Sequence, residues 1–260
     1  MFKLPSRIVD ISMPIDDAVI TDPSYMRPEF KRLSHADTVA RWQAIYPGLE
    51  AKDLPGGLAS AYEYITLTTH NGTHVDAPFH YHPVDKNGNP MPTIDQMPLD
   101  WYMRPGVKLD FRRFADGYVV RAKDVEEELA RIGHKLEPLD IVLVNTSAGG
   151  AYGKPDFNNK GSGMGREATM YLLDRGIRVT GTDAWGWDAP FALIAERWKK
   201  DHDPSIIWEG HYAGIEQPYS HMEKLQNLEA LPADGFVVAC FPVKIKGGTA
   251  GWTRAVALFD

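Results

Sequence analysis

The chain contains very little cysteine, with Cys240 as the single residue of this type among 260. Closed structural zinc sites normally use several thiolates, so a site of that kind is excluded. Cys240 lies within the apolar run at residues 236–241. We interpret it as a buried strand residue and not as a catalytic thiol.

Long apolar runs and basic clusters are also missing. No stretch approaches the roughly 18 consecutive apolar residues of a membrane span, and residues 1–7 lack the apolar region of a signal peptide. The net charge of -7 is spread along the chain without basic clusters, which argues against nucleic acid or a membrane as partner. We therefore expect a cytoplasmic protein that acts on a small molecule.

Linkers and two common catalytic loops are absent as well. Residues 161–165, GSGMG, match neither the GxGxxG nor the Walker pattern, and the GxSxG elbow is missing around Ser162. Nucleotide binding and serine catalysis are therefore not expected. Because no Ser/Gly/Pro-rich linker divides the chain, residues 1–260 are predicted to form a single domain with a sizeable core.

Metal-binding side chains are concentrated at residues 70–80, which read HNGTHVDAPFH. In extended chain, side chains two positions apart point the same way, so His74 and Asp76 are predicted to converge. A turn at Gly72 would bring His70 round to them. Two imidazoles and one carboxylate suit Zn(II), Mn(II) or Fe(II), and leave coordination positions open for water and substrate. A divalent cation there would lower the pKa of bound water from about 15.7 toward about 7.

This motif, HxGTHxDxPxH, is similar to the signature of the metal-dependent cyclase family of hydrolases, which includes bacterial kynurenine formamidase and isatin hydrolase. Further stretches also resemble the family: 9–12, 140–146, 165–176, 179–183 and 241–254. The resemblance implies an α/β fold, a single swivelling β/β/α domain that forms homodimers. It also implies that His80 takes a proton from water and returns it to the leaving nitrogen. An imidazole with an ordinary pKa near 6.5 would need little tuning for this work. His82 is the competing choice.

The resemblance further implies a second metal site. In the kynurenine formamidase branch, a His and a Glu twelve positions apart join the bridging Asp, and His211 and Glu223 have that spacing. The implied second-site ligands are therefore Asp76, His211 and Glu223. A one-metal version with Gln217 as a replacement ligand stays open, as does a structural role for His211 and Glu223. We expect Mn(II) as the cofactor, with Zn(II) as the alternative.

Aromatic residues follow a predicted strand at residues 184–191, AWGWDAPF. Their position after a strand end favours a pocket wall, and we predict that Trp185, Trp187 and Phe191 bind substrate. A flat aromatic substrate gains about 0.5–1.5 kcal/mol per well-placed ring pair beyond area burial. Two further tryptophans are candidates for this wall, Trp208 and Trp252.

These aromatic residues and the inserted segments make the chain resemble the longer isatin hydrolase branch. The resemblance implies an amidohydrolase that opens a cyclic aryl amide such as isatin to isatinate. Two alternatives stay open, a kynurenine formamidase with two zinc ions and a non-catalytic metal or small-ligand binding protein of the same fold. Residues 18–58, which shorter members largely lack, are predicted to form a lid or a dimer contact, with a surface excursion without function as the alternative.

Hydrophobic periodicity and turn residues predict the remaining elements. Predicted strands lie at 7–13, 61–69, 107–111, 140–146 and 178–182, predicted helices at 36–45, 123–132, 166–174 and 192–200, and a short helical turn at 95–101.

Overall fold

The computed structural model describes residues 4–260 and has a mixed α/β fold. The strands in this range are β1 (Arg7–Asp10), β2 (Glu29–Leu33), β3 (Tyr62–Thr66), β4 (His74–Asp76), β5 (Met103–Asp110), β6 (Val119–Val120), β7 (Ile141–Asn145), β8 (Gly163–Met164), β9 (Val179–Thr182), β10 (Ser220–Glu223), β11 (Phe236–Ala239), β12 (Ala250–Trp252) and β13 (Val256–Phe259). The α-helices are α1 (Val39–Ile45), α2 (Pro78–Tyr81), α3 (Ala122–Ile132), α4 (Arg166–Leu173), α5 (Phe191–Asp201) and α6 (Glu209–Glu216).

One large sheet organises the chain. Its nine strands lie in the order β1-β13-β11-β5-β7-β9-β10-β4-β12. The central strands β5, β7, β9 and β10 run parallel, and the strands on either side pair antiparallel. Because β1 pairs with β13, the two ends of the described chain lie side by side.

Strand β7 shows how the sheet is buried on both faces. All five of its residues are buried. Ile141 and Leu143 belong to one hydrophobic core, whereas Val142 and Val144 belong to the core on the opposite face. This alternation follows from the period of two in a strand, and continuous apolar sequence is typical of a parallel strand covered on both sides.

The helices confirm most of the sequence predictions. Helices α3, α4 and α5 each begin and end within one residue of the predicted bounds, and α1 is three residues shorter than predicted at its start. Helix α6 and strand β10 were not predicted, although both carry residues of the candidate site. None of the helices formed by residues 4–260 has the length and apolarity that a membrane crossing requires.

The inserted segment, residues 18–58, contributes no strand to the large sheet. Its strand β2 pairs with β3, which follows the segment, to form a separate two-stranded sheet, and α1 follows β2. We call residues 29–66 the arm. Several large apolar side chains of the arm are exposed, namely Ile45, Tyr46, Leu58, Tyr64 and Ile65. The part before the arm, residues 20–27, lies instead against the candidate site.

Candidate metal centre and the adjoining pocket

The site begins with two neighbouring antiparallel strands, β4 and β10. Their register places His74 opposite Glu223 and Asp76 opposite His221. Directly opposed residues present their side chains on the same face of a sheet, so the pairing brings two imidazoles and two carboxylates together. All four residues are buried.

The turn before β4 adds His70 to this face. Gly72 has φ +59°, and a Cβ atom there would lie 2.7 Å from Cγ1 of Ile15, so glycine is required for both reasons. The Nδ1 atom of His70 lies 3.0 Å from Oδ1 of Asp76 and 3.3 Å from Nε2 of His74. The same His74 atom lies 3.2 Å from Oδ1 of Asp76. The structure thus brings together the predicted first ligand group: His70, His74 and Asp76.

The predicted second ligand group, Asp76, His211 and Glu223, lies on the other side of the Asp76 carboxylate. Nε2 of His211, on α6, is 4.0 Å from Oδ2 of Asp76 and 3.6 Å from Oε1 of Glu223. The other Glu223 oxygen, Oε2, is 3.5 Å from Nε2 of His74. Each of the two carboxylates therefore faces the first group with one oxygen atom and the second group with the other.

Four of the imidazoles around the two carboxylates have their remaining nitrogen held by another group. A partner of this kind fixes the tautomer and the ring orientation of a metal-binding histidine. The pairs are His70 Nε2 with Oγ1 of Thr249 at 3.1 Å, His74 Nδ1 with the carbonyl of Gly72 at 2.9 Å, His221 Nδ1 with the Tyr81 hydroxyl at 3.0 Å, and His211 Nδ1 with Asp188.

The charge of the cluster calls for a cation. Neither oxygen of the buried Asp76 receives a hydrogen bond of acceptable geometry. Although burial opposes it, the imidazoles of His70 and His80 hold the pKa of Asp76 well below its ordinary value. Burial alone would lower the pKa of His74, yet the Asp76 and Glu223 carboxylates raise it to about 9. A buried carboxylate without hydrogen-bond donors is costly unless a positive charge compensates it.

The spacing of the donor atoms fits a metal ion. Zn(II) bonds to nitrogen and oxygen measure about 2.0–2.2 Å, which separates neighbouring ligand atoms of a tetrahedron by roughly 3.3–3.6 Å. The separations within the first ligand group are 3.0 to 3.3 Å. The residues present therefore fit a divalent cation.

His80 lies where the cluster meets the pocket. It belongs to the single helical turn α2, which begins at Pro78, and its Nε2 atom is 3.7 Å from Oδ2 of Asp76. Burial lowers the pKa of His80 to about 4, although the Asp76 carboxylate opposes this shift, and the neighbouring imidazoles of His70 and His211 add to it. The expectation of an ordinary pKa is therefore wrong. His80 is neutral near pH 7 and able to accept a proton.

A cavity of about 220 Å³ opens beside His80. Two tryptophans and a phenylalanine form one side of it, and Phe191 lies 5.7 Å from Trp185 and 6.4 Å from Trp208 between ring centroids. The Trp208 ring in turn stacks on His211 at 4.3 Å. Tyr25 and Met26, from the segment before the arm, line the same cavity. Aromatic surface and the cluster thus share one opening.

A buried ion pair fastens that segment to the site. Lys224 donates to Asp22 and to the backbone carbonyl of His70, the latter at 2.8 Å. Asp22 also accepts hydrogen bonds from Nε1 of Trp185 at 2.9 Å and from Nδ2 of Asn71 at 3.0 Å. Although burial opposes it, Lys224 keeps the pKa of Asp22 below its ordinary value. This contact between the inserted segment, the motif and the pocket wall was not predicted.

Two tryptophans predicted for the pocket wall lie elsewhere. Trp187 is buried in the hydrophobic core beside α4, where its Nε1 donates to Oγ1 of Thr169 at 3.1 Å. Its prediction as a substrate-binding residue is wrong, because its indole packs into the core while Trp185 faces the cavity. Trp252 donates to the carbonyl of Thr68 at 3.0 Å and does not line this cavity.

Two alternative polar candidates also lie away from the cluster. Gln217 donates to Asp174 at 2.5 Å from the end of α6 and faces away from the carboxylates, so its role as a replacement ligand is wrong. His82 bonds to the carbonyl of Val84 at 2.7 Å and lines no part of the cavity. Of the two histidines considered for proton transfer, only His80 lies at the cavity.

Sequence reasoning missed three residues of the cluster, namely Tyr81, Asp188 and His221. One signal for His221 was available, since it lies two positions before Glu223 and the period of a strand puts both on one face. Using it would have required predicting strand β10. Asp188 and Tyr81 act through histidines that are distant in the sequence, and no local pattern indicates them.

Comparison with known proteins identifies the family. The sequence profile of the family described as "Putative cyclase" matches residues 9–189. Kynurenine formamidase of Bacillus cereus is 26% identical over 184 residues, which cover 68% of each chain. Kynurenine formamidase of Salinibacter ruber is 28% identical over 196 residues, which cover 74% of this chain and 77% of the relative.

Solved structures share the fold along nearly the whole chain. Isatin hydrolase A from Labrenzia aggregata, bound to benzyl benzoate, superposes with a TM-score of 0.73 at 25% identity and covers 97% of this chain and 93% of that one. Isatin hydrolase A from Ralstonia solanacearum gives a TM-score of 0.75 over 98% and 92%, and its 20% identity shows the fold alone. The profile match covers well over half of the sequence, and with these likenesses it establishes that the chain belongs to the cyclase family of metal-dependent hydrolases.

Proposed function

We propose that this chain is an amidohydrolase that opens a cyclic aryl amide such as isatin to its ring-opened carboxylate, isatinate. The observation that carries the proposal is the position of His80, between a cluster fit for a divalent cation and a cavity walled by aromatic rings. A binding protein without activity has no use for a neutral, half-buried imidazole at that junction.

The cation would be held by His70, His74 and Asp76, with Asp76, His211 and Glu223 as the second ligand group. Mn(II) is favoured and Zn(II) is the alternative. When bound, such a cation supplies Lewis acidity and lowers the pKa of water. The two carboxylates and the fixed histidine tautomers define where it sits.

His80 carries the proton transfers. As the oxygen of water bonds to the lactam carbonyl carbon, neutral His80 accepts the proton that water releases. When the carbon–nitrogen bond breaks, the same imidazole returns this proton to the nitrogen. The carboxylic acid that forms releases its remaining proton to solvent, so the product bears a carboxylate and an aryl amine, and His80 returns to its neutral state.

The cavity supports a flat aromatic substrate. Trp185, Phe191 and Trp208 present rings to the same space, and rings at these separations interact favourably with a stacked ligand. A volume of about 220 Å³ is below the roughly 300–1,000 Å³ of pockets for drug-sized ligands. A compact bicyclic molecule is the size that this space favours.

Kynurenine formamidase activity is the second candidate. The second ligand group favours it, because His211 and Glu223 face the shared Asp76 carboxylate as a two-metal site requires. The curated relatives from Bacillus cereus and Salinibacter ruber carry that name. This candidate predicts hydrolysis of an aryl formamide with two tightly bound zinc ions.

A substrate comparison separates the candidates. Protein stripped of metal and resupplied separately with Mn(II) or Zn(II) is assayed on isatin, by loss of its visible absorbance, and on N-formylkynurenine. The proposal expects the higher kcat/KM for isatin. A clear preference for N-formylkynurenine would replace it with the second candidate, and no turnover of either substrate would contradict both.

The inserted segment is proposed to have two roles. Residues 20–27 form a wall of the pocket, held by the Asp22–Lys224 pair. The arm, with its exposed apolar side chains, contacts a second copy of the chain in a homodimer. Light scattering with size-exclusion chromatography tests this, since Ile65→Lys should shift a dimer to a monomer and Lys31→Glu, on the same small sheet, should not.

A further inference from the structure

We infer that His221 is a metal ligand, and that with it the second ligand group consists of two imidazoles and two carboxylates: His211, His221, Asp76 and Glu223. This inference rests on the proposed metal centre and deepens it. His221 is fully buried on β10, two residues before Glu223 and directly opposite Asp76. Its position alone places it on the face that carries the carboxylates.

The distances agree with coordination. Nε2 of His221 lies 3.1 Å from Oε1 of Glu223 and 3.3 Å from Oδ2 of Asp76. These are closer approaches to the two carboxylates than those of His211, at 3.6 and 4.0 Å. One ligand atom from each of the four residues Asp76, His211, His221 and Glu223 lies within 4.8 Å of all the others. Four protein ligands of the nitrogen and oxygen type are the number that a structural Zn(II) site takes.

The residues around His221 hold its ring in one orientation, as is usual for a metal-binding histidine. The Tyr81 hydroxyl holds Nδ1 at 3.0 Å, which leaves Nε2 directed at the carboxylates. The Tyr81 and Trp187 rings stack on the imidazole at 5.3 and 5.6 Å. This stacking explains why Trp187 is buried here, since it supports the cluster from the core side. A held nitrogen opposite the metal-facing one is the usual arrangement of metal-binding histidines.

A second metal site with His221 differs from one that is completed by Asp76, His211 and Glu223 alone. With a fourth protein ligand, the second position keeps fewer sites open for water or substrate. Both positions border the cavity, because His70 of the first group and His211 and Glu223 of the second group line it. With four protein ligands, the second cation would be held more firmly and exchange more slowly than the first.

Metal content measured on the whole protein tests the role of His221 without relying on activity. Metal-stripped wild type and His221→Ala are equilibrated with Zn(II), washed and analysed, and Co(II) titrations record the absorption of four-coordinate cobalt. We expect two ions per chain in the wild type and one in His221→Ala. The absorption of the cobalt ion that exchanges more slowly should be absent from His221→Ala. The matched control is His134→Ala, because His134 also lies between two carboxylates, Asp140 and Asp234, outside the site.

A second variant keeps the test valid if His221→Ala does not fold. Tyr81→Phe keeps the stacked ring and removes only the hydroxyl that holds Nδ1 of His221. The affinity for the second ion should therefore fall by about 10–100-fold, and the affinity for the first ion should be unchanged. One ion in the wild type, with metal-dependent hydrolysis, would overturn the inference and leave the proposed function intact. No bound ion in any form of the protein would instead contradict the proposed function.

Discussion

The two sides of the candidate site are built in different ways. The metal-facing side comes from paired strands β4 and β10, from one turn and from helix α6, and both carboxylates and most imidazoles there are buried. The substrate-facing side is assembled from loops and helix starts, including residues 20–27, 184–191 and 208, with Phe191 half exposed. Strand pairing fixes the chemistry, whereas loops, which vary more easily, set what enters. Substitutions on the two sides should therefore have separable effects.

The largest effect should come from Asp76, since its carboxylate faces both ligand groups. Asp76→Asn removes the shared charge while keeping the shape of the side chain. We expect the variant to lose its bound metal and to hydrolyse substrate no faster than the stripped wild type, as measured by metal analysis and initial rates on the same samples. Asp110→Asn, away from the site, should retain both properties. Full activity in Asp76→Asn would break the division between the two sides.

His80 should affect turnover without affecting metal. His80→Ala removes the proton acceptor and should lower kcat by about 10²–10⁴-fold, the usual contribution of a general acid or base. Metal content should stay at the wild-type level, because the donor set of the cluster is otherwise intact. A variant that loses its metal together with its activity would mean that His80 is a ligand, and the proton-transfer role would be withdrawn.

The Asp22–Lys224 pair should affect stability more than any other contact of the inserted segment. Both side chains are 1% exposed, so Asp22→Asn leaves a buried ammonium without its counter-charge and should cost about 3–5 kcal/mol. Asp17→Asn offers a matched control, because Asp17, which directly precedes the segment, pairs at the surface with Arg32 inside it. An exposed pair contributes about 0–1 kcal/mol. Urea unfolding measures both, and equal losses would contradict the assignment.

The smallest effect should come from the pocket wall. Phe191→Ala removes one ring from the cavity and should raise KM by about two- to tenfold, equivalent to about 0.5–1.5 kcal/mol, with kcat unchanged. Trp187→Leu sharpens the contrast, because Trp187 is 1% exposed in the core and its loss should lower the free energy of unfolding by several kcal/mol. A change in KM alone for Trp187→Leu would place it back on the substrate side.

The same division explains how far the sequence could be interpreted. His70, His74 and Asp76 lie in one short motif whose turn and strand are local, so their convergence followed from Gly72 and from the period of a strand. Helices α3, α4 and α5 were predicted for the same reason. Residues that meet only through strand pairing were harder. His221 comes from a strand that was not predicted, and Glu223 on the same strand was expected only from the family resemblance.

Side-chain direction after a strand end was the other limit. Trp185 and Trp187 lie two positions apart in a turn without regular period, and one faces the cavity while the other enters the core. The Asp22–Lys224 pair joins residues 202 positions apart, and no pattern in either segment indicates the other. The chemistry was therefore predictable from local sequence, whereas the shape of the pocket depended on tertiary packing.

The central claim is that the buried cluster is a metal centre that performs hydrolysis. The most direct test titrates stripped wild-type protein with Mn(II) and, in parallel, with Zn(II), and measures bound metal and the rate of isatin hydrolysis on the same samples. The account predicts no turnover by the stripped protein and a rate that rises with bound metal until the cluster is filled. A rate that is independent of bound metal would contradict it.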